Sequence, residues 1–256
     1  MGKHWVMSDL HGDYEGYMNV LQKMNFSEED VLYVVGDIVD RGRGGIKILQ
    51  HMMMQPNIYP ILGNHEYMGV RCLRFLLQEI TEESNATLNE GIVRGLLEWQ
   101  NVGGQATMDE FHKLSMEEKL DIVEYLEDFA LYEEITVCGK TYIMLHAGFI
   151  HFDPGRPMSD YQMYELIFKC NNYNRVYFPD KYLVTGHLPT RAIHGNSRPD
   201  CIYRANNHIA IDCGSGYGGR IGAYCLETEE EVYSRELKKR EEEEWESCEI
   251  IPAFRK

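Results

Sequence analysis

Five short stretches of this chain bring aspartate, asparagine and histidine to the ends of apolar runs. SDLHGD, Ser8 to Asp13, follows Lys3–Met7 and offers Asp9 and His11. GDIVDRG, Gly36 to Gly42, follows Val31–Val35 and offers Asp37, Asp40 and Arg41. GNHE, Gly63 to Glu66, follows Ile58–Leu62 with Asn64 and His65; HAG begins with His146 behind Thr141–Leu145; TGH ends in His187 behind Tyr182–Val184. Glycine and aspartate alone are ordinary turn residues, which accept positive φ or cap a helix. Histidine caps turns poorly, and Gly-Asn-His-Glu is no ordinary helix start. Carboxylate, amide oxygen and imidazole gathered without thiolate suit Mn²⁺, Fe or Zn²⁺ and do not select among them. Metal-assisted chemistry is the expectation.

Something must bring these five ends together. Between the apolar runs, Tyr14, Tyr17, Met18, Leu21 and Met24 recur at helical spacing, as do Ile46, Ile48, Leu49, Met52 and Met53, with Pro56 beyond. A third helical pattern runs from about Met68 to Glu79. Three β–α units in 80 residues predict an α/β sheet, whose ligand crevice lies beyond the carboxyl ends of its strands. Residues 78–130 read as helical, with the apolar stripe from Leu114 to Leu131 as core. Further strands are expected at Glu133–Val137, Cys201–Tyr203, His208–Ile211 and Ala223–Leu226. One two-sheet α/β domain over residues 1–235 is expected, followed by an acidic extension at 236–256. The stretch ETEEEVYSRELKKREEEEWE, residues 227–246, reads as a surface element whose i,i+4 charge pairs favour a solvated helix.

Composition narrows the function classes. The 256 residues carry a formal net charge of −16, and no basic face of the kind a nucleic-acid binder needs is visible. No apolar run approaches the ~20 residues that cross a bilayer. The start, MGKHWVMSDLHGD, lacks the apolar stretch of a signal peptide. A cytoplasmic protein with neither a membrane nor a nucleic-acid partner is expected; nothing in the sequence sets its oligomeric state. Seven cysteines without CxxC spacing read as reduced thiols rather than a zinc-thiolate site.

Taken in order, SDLHGD, GDIVDRG, GNHE, HAG and GH resemble the metallophosphoesterase superfamily. Within it they are most similar to the phosphoprotein (serine/threonine) phosphatase family, especially its compact bacterial and phage members. Symmetrical diadenosine tetraphosphate hydrolases share much of the pattern. The resemblance spans about residues 3–226, and WQNVGGQAT (99–107) and IDCGSGYGGRIGAYCLE (211–227) carry its flavour too. It implies a calcineurin-like αββα sandwich and two divalent ions, Mn²⁺ first, with Fe or Zn²⁺ as alternatives. Asp9 and His11 would hold one ion; Asn64, His146 and His187 the other; Asp37 would bridge them. The implied reaction is phosphomonoester hydrolysis by direct attack of a hydroxide between the two ions. Asp40 would orient and charge His65, the acid for the leaving oxygen, and Arg41 would grip a phosphate oxygen.

This chain departs from the pattern in places. Ser8 and Ala147 stand where glycine is usual, and both are small. In YELIFKCNNYNR (164–175), Phe168 replaces a tryptophan, so a second phosphate-binding cation must be Lys169 or Arg175. Tyr217 resembles a tyrosine that lines the family's site. The leading expectation is therefore a serine/threonine protein phosphatase acting on a phosphorylated protein or peptide. The alternatives are a symmetrical dinucleoside polyphosphate hydrolase and a non-catalytic metal-binding scaffold.

Overall fold

The computed structural model describes residues 2–77 and 90–237. β1 (His4–Met7), β2 (Val31–Val35) and β3 (Ile58–Ile61) lie parallel, joined through α1 (Tyr14–Met24) and α2 (Gly45–Met53). β9 (Gly222–Cys225) pairs antiparallel with β1, and β10 (Glu231–Tyr233) with β9, giving the order β10-β9-β1-β2-β3. A second sheet holds β4 (Tyr132–Val137), β5 (Lys140–Leu145), β6 (Lys181–Thr185), β7 (Tyr203–Ala205) and β8 (His208–Ala210). Its order is β4-β5-β6-β8-β7, with β5, β6 and β8 parallel.

Alternation along the strands separates the layers. Val6, Tyr33, Val35 and Ile61 of the first sheet share a core with Tyr142, Met144, Val184 and Ile209 of the second. Their neighbours Trp5, Met7, Leu32 and Val34 point the other way, into the helical layer. Both faces are thus buried, which is why these strands read as nearly unbroken apolar runs. The helical layer also contains α3 (Asn64–Leu76), α4 (Glu90–Trp99), a π-helical turn at Gln100–Gly104, α5 (Gln105–Phe111) and α6 (Met116–Glu127). Ile122, Val123, Leu126 and Phe129, in the stripe expected to be core, are buried there.

The architecture is the expected two-sheet α/β sandwich, with four local differences. The outer face of the second sheet is covered mainly by irregular chain, with one short helix, α7 (Met163–Leu166). Phe149, Tyr161 and Tyr177 cover Ile143, Leu145 and Leu183 without helical periodicity. The strand expected at Cys201–Tyr203 starts at Tyr203. The two-residue turn Asn206-Asn207, both at positive φ, sets Ala205 opposite His208 and so fixes the register. β10 lies inside the acidic stretch read as a helix; Glu231, Val232 and Tyr233 pair with Tyr224, Ala223 and Gly222 as an edge strand. Charged residues suit a sheet edge. Residues 238–246 of that stretch, and nearly all of the 236–256 extension, lie outside the described residues. Fourthly, α3 begins at Asn64, not near Met68, because Glu66 caps it: its Oε2 accepts the Gly63 N–H at 3.1 Å. GNHE is a helix start after all. Among the described residues, no helix is long and apolar enough to cross a membrane.

Candidate active site

The two loops behind β1 and β2 are zipped together by backbone hydrogen bonds. Asp9 N–H donates to Gly36 O (3.0 Å), His11 N–H to Asp37 O (2.9 Å), Gly12 N–H to Ile38 O (2.9 Å) and Gly42 N–H to His11 O (3.0 Å). Asp9, His11, Asp37, Asp40, Arg41 and His187 all have positive φ, between 44° and 73°. Non-glycine residues seldom adopt that conformation, and strain of this kind gathers where geometry serves a site. Gly36, at φ 75°, cannot be replaced cheaply, since a Cβ there would sit 2.5 Å from His146 Nδ1. Glu66, fully buried, fastens the second loop. One carboxylate oxygen accepts the N–H groups of Ile38 (2.7 Å) and Val39 (3.2 Å), and the other accepts Asp37 (2.8 Å) and Gly63.

Three of the histidines, His11, His146 and His187, are oriented by a backbone carbonyl, which leaves the other ring nitrogen for the cluster. His11 Nδ1 lies 3.1 Å from Val39 O, His146 Nδ1 3.0 Å from Val35 O, and His187 Nε2 3.2 Å from Phe168 O. Asn64 Oδ1 is 2.9 Å from both His146 Nε2 and His187 Nδ1, and Asp37 Oδ1 is 3.3 Å from His146 Nε2. On the other side, Asp37 Oδ2 lies 3.7 Å from His11 Nε2 and 3.8 Å from His65 Nε2. Two tight groups, His11–Asp37–His65 and Asp37–His146–His187, therefore share the Asp37 carboxylate. Asp9 stands beside them rather than inside either. Its carboxylate accepts Ser8 Oγ–H (2.5 Å) and the His187 N–H (3.0 Å).

The charges of the cluster call for cations. Asp9, Asp37 and Asp212 are three buried carboxylates in one neighbourhood. Burial, with Asp212 and Asp37 nearby, pushes Asp9 well above the usual carboxylate range. Burial, with Asp37 adding to it, raises Asp212 to about 6 even though the Gly214 N–H and Arg41 pull it down. Burial opposes charge on His146 too, but Asp37 and Asp9 overcome it and raise the imidazole to about 10. His187 beside it is pushed down to about 4, by burial and then by His146. A histidine that draws a proton so strongly marks a place where positive charge is wanted. With ring nitrogens turned inward around a shared carboxylate, the residues fit divalent metal ions.

Beside the cluster, His65 Nδ1 lies 2.7 Å from Asp40 Oδ2. Asp40 itself is clamped from a distant segment. Trp99 Nε1–H donates to its Oδ2 (2.7 Å), and Thr107 Oγ1–H to its Oδ1 (2.6 Å). These are the outer residues of WQNVGGQAT. Gly103, at φ 113°, lets the backbone close in so that its carbonyl accepts the Arg41 N–H (3.0 Å), and a Cβ there would strike Arg41. Burial pushes the His65 imidazole down, but Asp37 and Asp40 outweigh it and raise it above its ordinary value. The Arg41 fork reaches His11 Nε2 (2.6 Å) and His65 Nε2 (3.2 Å), and its Cζ lies 4.2 Å above the half-exposed Tyr217 ring. Tyr217 is thus brought to the site. Lys169 donates to Ile150 O (3.2 Å), and Arg175 stacks on Phe152 and Tyr177; both line a separate cleft of about 310 Å³.

Residues 2–210 match the family model for calcineurin-like phosphoesterases. This chain belongs to that family. It is a metallophosphoesterase, a hydrolase of phosphate esters whose family implies divalent metal ions. The calcineurin-like phosphoesterase is 25% identical to serine/threonine-protein phosphatase 2 of Escherichia coli (strain K12) over 227 residues, 86% of this chain and 91% of that one. It is 33% identical to the symmetrical bis(5'-nucleosyl)-tetraphosphatase of Buchnera aphidicola subsp. Acyrthosiphon pisum (strain 5A). That match covers 64 residues, 24% of this chain and 23% of that one. Two solved structures share the fold. A putative diadenosine tetraphosphatase matches at TM-score 0.59 and 17% identity, covering 91% of this chain and 92% of that one. A serine/threonine phosphatase from Saccharomyces cerevisiae matches at 0.55 and 14%, covering 88% and 72%.

Four residues of this calcineurin-like phosphoesterase had no role in the sequence reading: Glu66, Trp99, Thr107 and Asp212. Each lay inside a quoted motif, but only the fold shows what it touches. Glu66 gives the clearest test. In Glu66→Gln an amide NH₂ faces backbone N–H groups, leaving at least one pair of buried donors without an acceptor. We expect a stability loss of about 1–3 kcal/mol and a fall in metal affinity of roughly 10–100-fold. Denaturant unfolding and metal titration of the variant check both; wild-type values would show that the loop needs no carboxylate.

Proposed function

We propose that this metallophosphoesterase is a two-metal serine/threonine protein phosphatase. The observation that carries the substrate class is the reach of one alignment. In sequence, the phosphatase from Escherichia coli is matched over nearly its whole length, whereas the Buchnera tetraphosphatase match covers about a quarter of either chain. The solved diadenosine tetraphosphatase, at 17% identity, speaks to the fold alone. In this reading Asp9, His11 and Asp37 would hold one ion, and Asp37, Asn64, His146 and His187 the other, with Mn²⁺ the preferred metal. When bound, the ions supply Lewis acidity that acidifies water and draws charge from the phosphoryl oxygens. The chain's own groups do the rest. Arg41 presents a planar fork that grips phosphate oxygens, with Tyr217 beneath its guanidinium. With the Arg41 fork turned to phosphate and no longer donating to His65 Nε2, that nitrogen carries a proton and gives it to the departing serine or threonine oxygen, while Asp40 accepts from Nδ1 and holds the ring. The observed partners of Lys169 and Arg175 lend no support to a phosphate role, so Arg41 carries it. A scaffold would need the metal ligands but not the His65–Asp40 pair beside Arg41.

A dinucleoside polyphosphate offers internal phosphates with less charge each and must also seat two nucleosides. The test is kcat/KM of the Mn²⁺-loaded enzyme on Ser/Thr phosphopeptides and on diadenosine tetraphosphate. Phosphopeptides should be the better substrates. A hundred-fold preference for the dinucleotide, about 2.7 kcal/mol in transition-state stabilisation, would reverse the choice of substrate and leave the metal chemistry standing.

A further inference from the structure

One arginine outside the machinery described so far faces the same opening. Arg235 follows β10 on a backbone held from several directions. Ser234 N–H donates to Ile221 O (2.9 Å), Lys23 Nζ to Tyr233 O (2.8 Å), and Arg220 Nη1 to Arg235 O (3.3 Å). From that anchor, Arg235 Nε donates to Gly219 O (2.8 Å), and Nη1 lies 3.3 Å from Asp13 Oδ2. The side chain is about half exposed. Together with Arg41 it lines a cavity of about 350 Å³, whose other walls include His11, Gly12, Ser215 and Gly216. The cavity therefore joins the metal cluster through His11 and the phosphate-gripping residue through Arg41. Asp13, its one carboxylate among the described residues, is already committed to the α1 N-terminus through the Gly16 N–H (2.9 Å) and to Ser215 Oγ–H (3.4 Å). In a chain of net charge −16, the described lining of this cavity sets two arginines against one aspartate.

We propose that Arg235 determines specificity by receiving a second anionic group of the substrate, the carboxylate of an Asp or Glu beside the phosphorylated residue. The proposal rests on the protein phosphatase reading and names the peptides it favours. With the phosphate on Arg41, the neighbouring side chain enters the cavity and meets Arg235. No tyrosine, phenylalanine or tryptophan is among the described residues lining the cavity, so it offers an acidic side chain a charged partner and a nucleobase no aromatic ring to stack on.

Two phosphoserine peptides that differ only in flanking Asp against Asn test this. Each is measured as an inhibitor of p-nitrophenyl phosphate hydrolysis by the full, Mn²⁺-loaded chain, so that binding is read whether or not the peptide turns over. The acidic peptide should bind on the order of five-fold tighter, the worth of one partly exposed charge pair, and added salt should shrink that ratio. Arg235→Ala should bring the ratio to one, Arg235→Lys should keep most of it, and Asp13→Asn should enlarge it by freeing the guanidinium. A merely structural role would weaken both peptides alike and leave the ratio unchanged. A ratio of one in the wild type, or an undiminished ratio in Arg235→Ala, overturns the proposal. So does an Arg235 dependence seen with inorganic tripolyphosphate and not with the acidic peptide. Peptides that compete as expected but are never hydrolysed would instead count against the phosphatase reading alone.

Discussion

Replacing His65 with Asn lowers kcat/KM on a phosphoserine peptide on the order of 10²–10⁴-fold, the usual worth of general acid catalysis. The same variant loses far less on p-nitrophenyl phosphate. Serine leaves as a strongly basic alkoxide and needs a proton as the P–O bond breaks; p-nitrophenolate leaves well without one. The geometry supports this role, because Asp40 holds Nδ1 at 2.7 Å and leaves Nε2 on the side of Asp37 and Arg41. The measurement is the pair of kcat/KM ratios with metal content checked in each preparation. Equal losses on both substrates, with metals retained, would mean that His65 only positions water or a ligand.

Asp37→Asn should be harsher and should not discriminate between substrates. Asp37 is the carboxylate shared by the two ligand groups, with Oδ1 toward His146 and Oδ2 toward His11. His146 and His65 hold it well below the usual carboxylate range despite the cost of burial. Asparagine removes that charge and places an NH₂ where a ligand oxygen belongs. The loss should exceed the roughly 10–100-fold that follows removal of a metal ligand's outer partner, on the order of 10³-fold or more in kcat/KM on either substrate. Both ions should be lost in elemental analysis. A variant that still carries two ions would show that another group bridges them.

Much of this site can be read from sequence because its parts stand at strand ends, where a run of Val, Leu or Ile stops at Gly, Asp or His. Asp9, Asp37, Asn64, His146 and His187 announce themselves in this way, each within a few residues of the strand that carries it. What stayed hidden acts across long separations. Trp99 and Thr107 reach Asp40 over 59 and 67 residues, and no local periodicity encodes that meeting. Glu66 looked like the tail of a motif until its four backbone donors were visible. α3 begins ahead of its apolar pattern, and a capping glutamate next to His65 resembles site chemistry more than a helix start. β10 was hidden because an edge strand tolerates the charges that also suit a solvated helix. Arg235 lies beyond the last stretch of the resemblance, and only the pairing of β10 with β9 returns it to the site.

The most direct test of two-metal phosphoester hydrolysis by this chain is a titration of verified metal-free protein with Mn²⁺, following p-nitrophenyl phosphate turnover against ions bound per chain. The expected result is no turnover without metal and activity that saturates only as the second ion binds. Undiminished activity in the metal-free preparation, or full activity with a single ion bound, would contradict it.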